Sequence, residues 1–134
     1  MFFGFTNCPD ACPTAMLNVT NTLREMGPIA AQFQPIFVTI DPERDTPELL
    51  RDYLRNFDDR IVGLSGTADQ TSAIARAYGV YYQKQPLPGG DYTMNHSTWV
   101  YLVSPRGELV RPYVPDADAA DFAQALLKET STLQ

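Results

Sequence analysis

Cys8 and Cys12 are the only two cysteines in this chain of 134 residues, and they stand four positions apart in Cys8-Pro9-Asp10-Ala11-Cys12-Pro13. The apolar run Met1-Phe2-Phe3-Gly4-Phe5 ends just before them. That order reads as a strand giving way to a turn and then to a helix. Residues i and i+4 share a helix face, so in the first helical turn both sulfurs can point at one spot. The positive end of the helix dipole favours thiolate over thiol there, which makes such a pair nucleophilic and metal-binding. Redox or soft-metal chemistry suits the arrangement. The structural alternatives are a small local disulfide, or two cysteines packed as small hydrophobes. Pro9, Asp10 and Pro13 around the pair mark a specific turn rather than a featureless core.

The elements that must position these thiols follow from periodicity and punctuation. Residues 1–6 read as a buried strand, and Pro13 suits the first turn of a helix that ends at Gly27-Pro28, with Met16, Val19, Leu23 and Met26 at helical spacing. Pro35 to Ile40 is a second apolar strand. Thr46-Pro47 reads as an N-cap and first helical residue, with Leu50, Tyr53, Leu54 and Phe57 facing inward. Residues 61–64 form a short strand, 68–78 a helix ended by Gly79, and 80–95 a hairpin-like excursion rich in proline and glycine. Residues 98–103 and 109–113 flank Ser104-Pro105-Arg106-Gly107 as strand, turn and strand, and Asp118 caps a last helix.

Strands alternating with helices, then a hairpin and a helix, give an α/β fold of thioredoxin-like type, a mixed central sheet flanked by helices. Sites in open α/β sheets lie beyond the carboxyl ends of the parallel strands, where Cys8 and Cys12 fall. The strand 98–103 should run antiparallel to the first, so its beginning lies at that same end. This places His96, the only histidine, near the two cysteines. Two thiolates and an imidazole suit Cu(I), Cu(II) or Zn(II). Zinc normally takes a fourth ligand, and no third cysteine or second histidine is present, so copper is favoured. Met94 is either an extra soft ligand or a core filler. Asp41 and Asp45 sit at the same rim, either shaping the site or serving as a cap and a surface pair for Arg44. Trp99 and Tyr101 alternate on a strand and read as packing residues.

Composition narrows the function classes. One domain over 1–134, 44% hydrophobic and 19% charged, can bury a proper core. A net charge of −6 without a basic stretch argues against a nucleic-acid partner. Neither a Gly-rich phosphate loop nor a Ser/His/Asp arrangement occurs in the sequence.

With these residues in place, the chain closely resembles the Sco (SenC) family of copper proteins. The resemblance runs through Phe3-Gly4-Phe5-Thr6-Asn7-Cys8-Pro9-Asp10-Ala11-Cys12-Pro13, then Val38-Thr39-Ile40-Asp41-Pro42-Glu43-Arg44-Asp45-Thr46-Pro47, His96-Ser97 and Tyr101 to Gly107. It implies a thioredoxin-like domain holding one copper through Cys8, Cys12 and His96. It also implies a role in building the binuclear copper centre of cytochrome c oxidase, by donating copper or by reducing the centre's cysteines. The implied partner is the copper-bearing oxidase subunit or another periplasmic copper chaperone. The implied location is the extracytoplasmic face of the membrane or the mitochondrial intermembrane space, on an N-terminal anchor. Family domains carry a lead-in segment and anchor before the first strand, which this sequence lacks, so membrane contact is expected only through such an anchor. Family members also commonly have Asp just before the histidine, where this chain has Asn95. A carboxylate there would orient the imidazole and raise its basicity, so Asn95 is expected to weaken or retune copper binding. Two activities follow: a copper metallochaperone working by ligand exchange, or a thiol–disulfide oxidoreductase in which one cysteine attacks and the other resolves.

Overall fold

A computed structural model describes the backbone of residues 1–7, 11–96, 99–114 and 118–133, and the side chains of all of these except 11, 12 and 130–133. Strand β1 (Phe2–Gly4) leads to helix α1 (Ala11–Met26), a 3-10 turn (Gly27–Gln32) and strand β2 (Ile36–Thr39). Helix α2 (Pro47–Leu54), strand β3 (Val62–Leu64) and helix α3 (Ala68–Ala77) follow. The excursion over 80–95 is a hairpin of β4 (Tyr82–Pro86) and β5 (Tyr92–His96). The chain closes with β6 (Val100–Val103), β7 (Leu109–Tyr113) and α4 (Ala119–Leu133).

The main sheet has the order β3-β2-β1-β6-β7, and β4-β5 form a separate two-stranded sheet. β1, β2 and β3 run parallel, with Phe2 beside Phe37 and Ile36 beside Val62. β6 runs antiparallel to β1, as the topology argument requires, and β7 antiparallel to β6. The flanking helices complete the mixed, thioredoxin-like α/β architecture.

Local signals set the helix ends. Thr46 Oγ1 accepts from the Leu49 N–H at 3.2 Å, with Pro47 as the first helical residue. Thr67 and Gln70 form a reciprocal capping box at α3. Asp118 Oδ1 accepts from the Ala120 N–H at 2.9 Å. Gly79 takes φ +69° directly after α3, a conformation that costs a side-chain-bearing residue about 1 kcal/mol or more.

Continuous apolar runs in β1 and β2 are buried on both sheet faces. Phe2 and Phe37 stack with Tyr53 of α2 on one face, while Phe3 meets Tyr101 edge-on at 5.7 Å. A second cluster joins Leu23 and Met26 of α1 to Leu102 and to Phe122, Ala123 and Leu126 of α4. Trp99 departs from the expected packing role. It lies just before β6 rather than within it and is 45% exposed, whereas Tyr101 is 5% exposed. Among the described residues no helix is long and apolar enough to cross a membrane.

Candidate metal and thiol site

The histidine arm is built on β5. Side chains two apart on a strand share a face, so Tyr92, Met94 and His96 line one side of it. Met94 packs against the main core, which takes the filler reading over the ligand one. The half-buried His96 ring stands edge-on to Phe5 with centroids 5.6 Å apart, and edge-on to Phe2 at 6.4 Å.

On the thiol side, Cys8 lies outside the described residues. Cys12 is the second residue of α1, in its first turn, and its side chain lies outside them too. Cys8 follows Phe5 by three residues, so its Cα lies within about 11 Å of the Phe5 Cα. A donor set of two thiols and an imidazole fits a soft or borderline metal.

Between the two arms stands the turn after β2. Asp45 is fully buried and accepts three hydrogen bonds. The Thr6 N–H donates to Oδ2 at 3.0 Å, Thr6 Oγ1 to Oδ1 at 2.6 Å, and Thr39 Oγ1 to Oδ2 at 2.6 Å. Burying a carboxylate costs several kcal/mol unless it is compensated this way. Asp41, 3% exposed, accepts from Arg44 Nε and from the Tyr92 hydroxyl at 2.8 Å. The Arg44 guanidinium lies 3.8 Å from the Tyr92 ring centroid, and its NH1 donates to the Tyr92 carbonyl at 3.0 Å. Lys84 Nζ approaches the same ring at 4.1 Å. Burial and the bond to Asp41 push the Tyr92 phenol up to about 12.

Two expectations are corrected here. The Asp41–Arg44 pair is not a surface pair, because Asp41 is buried, whereas the cap of α2 is Thr46, as Thr46-Pro47 predicts. Asn95 projects to the opposite face of β5 from His96, where its Nδ2 donates to Gln85 Oε1 at 3.1 Å. Residue 95 is thus turned away from the imidazole. Thr6, Thr39 and Tyr92 were not singled out by sequence. The available signal was two aspartates bracketing Arg44 directly after a parallel strand, whose side chains need buried donors somewhere.

The comparisons with known proteins agree with this architecture. The sequence model of the SCO1/SenC family matches residues 1–131. The Arabidopsis thaliana mitochondrial SCO1 homolog 1 is 32% identical over 130 residues, which covers 96% of this chain and 39% of that relative. The chain thus spans well under half the length of that protein. The structure of Bradyrhizobium japonicum ScoI with copper bound superposes with a TM-score of 0.87 at 39% identity, covering 95% of this chain and 81% of that one. BsSco, described with a disulfide switch and as a member of the Sco family of cytochrome c oxidase assembly proteins, superposes with a TM-score of 0.72 at 26% identity, covering 99% of this chain and 79% of that one. A family model that matches nearly the whole chain, together with these superpositions, identifies the chain as a member of the SCO1/SenC family.

Proposed function

We propose that this protein is a copper metallochaperone that holds its cargo ion through Cys8, Cys12 and His96 and delivers it to cytochrome c oxidase during assembly of the binuclear copper centre. The observation that carries the reading is the position of His96, edge-on to Phe5 at the end of the strand that leads to Cys8. Support for copper as the cargo comes from the copper-bound structure of the Bradyrhizobium relative. Two thiolates retain Cu(I), and the imidazole adds a borderline donor that Cu(II) needs more. Transfer proceeds by ligand exchange, as acceptor thiolates or imidazoles replace the three ligands one at a time. The partner is the copper-bearing oxidase subunit or a second copper chaperone. The compartment is extracytoplasmic or the mitochondrial intermembrane space, in keeping with the mitochondrial relative.

A second reading is favoured by the placement of Cys12 in the first turn of α1, where the helix dipole stabilises a thiolate. In that reading Cys8 and Cys12 reduce a disulfide at the oxidase copper site, ending as a disulfide themselves while the partner gains two thiols. The disulfide switch described for BsSco supports it. His96→Ala separates the two. The variant should lose most of its Cu(II) affinity and less of its Cu(I) affinity, while keeping its rate of thiol exchange. Cys8→Ser should abolish both activities. Full copper retention by His96→Ala in a competition titration excludes the histidine as a ligand and leaves the oxidoreductase reading.

A further inference from the structure

β5 carries His96, yet it belongs to the separate two-stranded sheet and has no ladder to β1 or β6 among the described residues. Its ladder is to β4, with Tyr82 beside His96, so side-chain docking of this hairpin on the main body helps to set the position of the histidine. Of the residues on the docked face, Met94 makes apolar contacts, which resist sliding poorly. Tyr92 makes directional ones, its hydroxyl on Asp41 Oδ1, its carbonyl accepting from Arg44 and its ring against the same guanidinium. On the other side of the site, Thr6 stands two residues before Cys8 and is held twice by Asp45. Asp41 and Asp45 belong to one closed turn, in which the Asp45 N–H donates to the Asp41 carbonyl at 2.9 Å and the Arg44 N–H to the same oxygen at 3.2 Å. Ser65 Oγ donates to the Asp45 carbonyl at 3.1 Å, and Thr46 pins the end of the turn to α2.

We propose that this turn, residues 41–46, is a two-armed brace whose Asp45 arm positions the thiol turn through Thr6 and whose Asp41 arm positions His96 through Tyr92. The inference rests on His96 acting as a metal ligand. Neither aspartate touches the metal; each acts through another residue. Because the arms use different carboxylates and different targets, they are separable. Loss of the Tyr92 hydroxyl bond loosens β5, which then keeps only the Arg44 bond to the Tyr92 carbonyl and the ring contact, and this shifts the imidazole while leaving the thiols in place. Loss of the Asp45 bonds slackens the turn before α1, which lowers the effective concentration of one sulfur at the other and affects copper and disulfide alike.

The test uses four variants of the reduced protein, each titrated with Cu(II) against a competing chelator and each equilibrated with glutathione to read its dithiol–disulfide ratio. Tyr92→Phe should lower Cu(II) affinity roughly 10-fold, the low end of what supporting partners of metal ligands contribute. Its dithiol–disulfide ratio should stay within about twofold of wild type, as no thiol-side contact is altered. Asp45→Asn, with Thr6→Val beside it in case the first folds poorly, should move that ratio several-fold toward the dithiol and lower copper affinity as well, because both sulfurs serve both equilibria. His96→Ala is the reference. If it keeps wild-type Cu(II) affinity, the ligand assignment falls and the brace falls with it. If His96→Ala loses copper while Tyr92→Phe binds as wild type, the ligand assignment stands and the brace is overturned. A Tyr92→Phe variant that shifts the glutathione equilibrium as far as Asp45→Asn also overturns it, since the arms are then not separate.

Discussion

Replacing Asp45 with alanine strands three donors at the centre of the molecule. The Thr6 N–H, fixed by the backbone, loses an acceptor with no other in place, a cost of about 1–3 kcal/mol. The Thr6 and Thr39 hydroxyls can rotate, so each forfeits closer to 1 kcal/mol. Removing a buried charge returns part of its desolvation cost. The net loss is roughly 2–4 kcal/mol, a large share of the 5–15 kcal/mol that holds a typical domain together. Urea denaturation at neutral pH reads it directly, as a lower midpoint at unchanged slope, displaced by about 1–2 M. Asp52→Ala is the matched control. Asp52 pairs with Arg55 at 3.4 Å, but the two side chains are 67% and 73% exposed. Its removal should stay within about 0.5 kcal/mol. Should the two alanine variants unfold at the same urea concentration, the Asp45 bonds contribute nothing net and the reasoning from burial fails.

The raised Tyr92 phenol carries a pH dependence. Its ordinary value is 10.0 and its value in the fold is about 12, so the unfolded chain gives up the proton first and stability falls as pH rises through that interval. Below pH 10 the contribution is fully present. Denaturant melts from pH 9 to 11.5 should show a shallower decline for Tyr92→Phe than for wild type, and parallel declines refute the assignment. Asn95→Asp should leave copper affinity within about twofold, because residue 95 bonds Gln85 on the face of β5 opposite His96. Tightening by 10-fold or more in a competition titration means that β5 turns over when metal binds.

Most of the fold was legible because its signals are local or general. Thr46-Pro47 starts α2 by occupying the two positions where a hydroxyl acceptor and a missing N–H are useful, whatever lies elsewhere in the chain. The placement of His96 beside the first strand needed only alternating elements and the handedness of crossovers, and the Phe5–His96 contact agrees with it. Where local alternation was extended past the end of an element it failed. Alternation with Tyr101 predicts a packing role for Trp99, but Trp99 precedes β6 and is 45% exposed. The same alternation, applied within β5, shows why Asn95 cannot do for His96 what an adjacent carboxylate was expected to do.

The hydrogen bonds that tie the site together were not legible, and the reason is distance along the chain. Tyr92 meets Asp41 across 51 residues and Thr6 meets Asp45 across 39, with no period or spacing to announce either. What the sequence did offer was chemistry without a partner: two aspartates and an arginine in a turn at the carboxyl end of a parallel strand. Read alone, they fit an exposed cap as well as a buried clamp. Burial decides between the two, because a carboxylate at zero exposure must find its donors within the protein. For Asp45 they are Thr6, just before the cysteine turn, and Thr39 of β2; for the nearly buried Asp41 they are Arg44 and Tyr92 of the histidine strand. A resemblance carries over ligand types position by position. The relative placement of those ligands depends on long-range contacts of this kind, and Asp41 and Asp45 are where altered spacing between thiols and imidazole can be tested without touching any of the three.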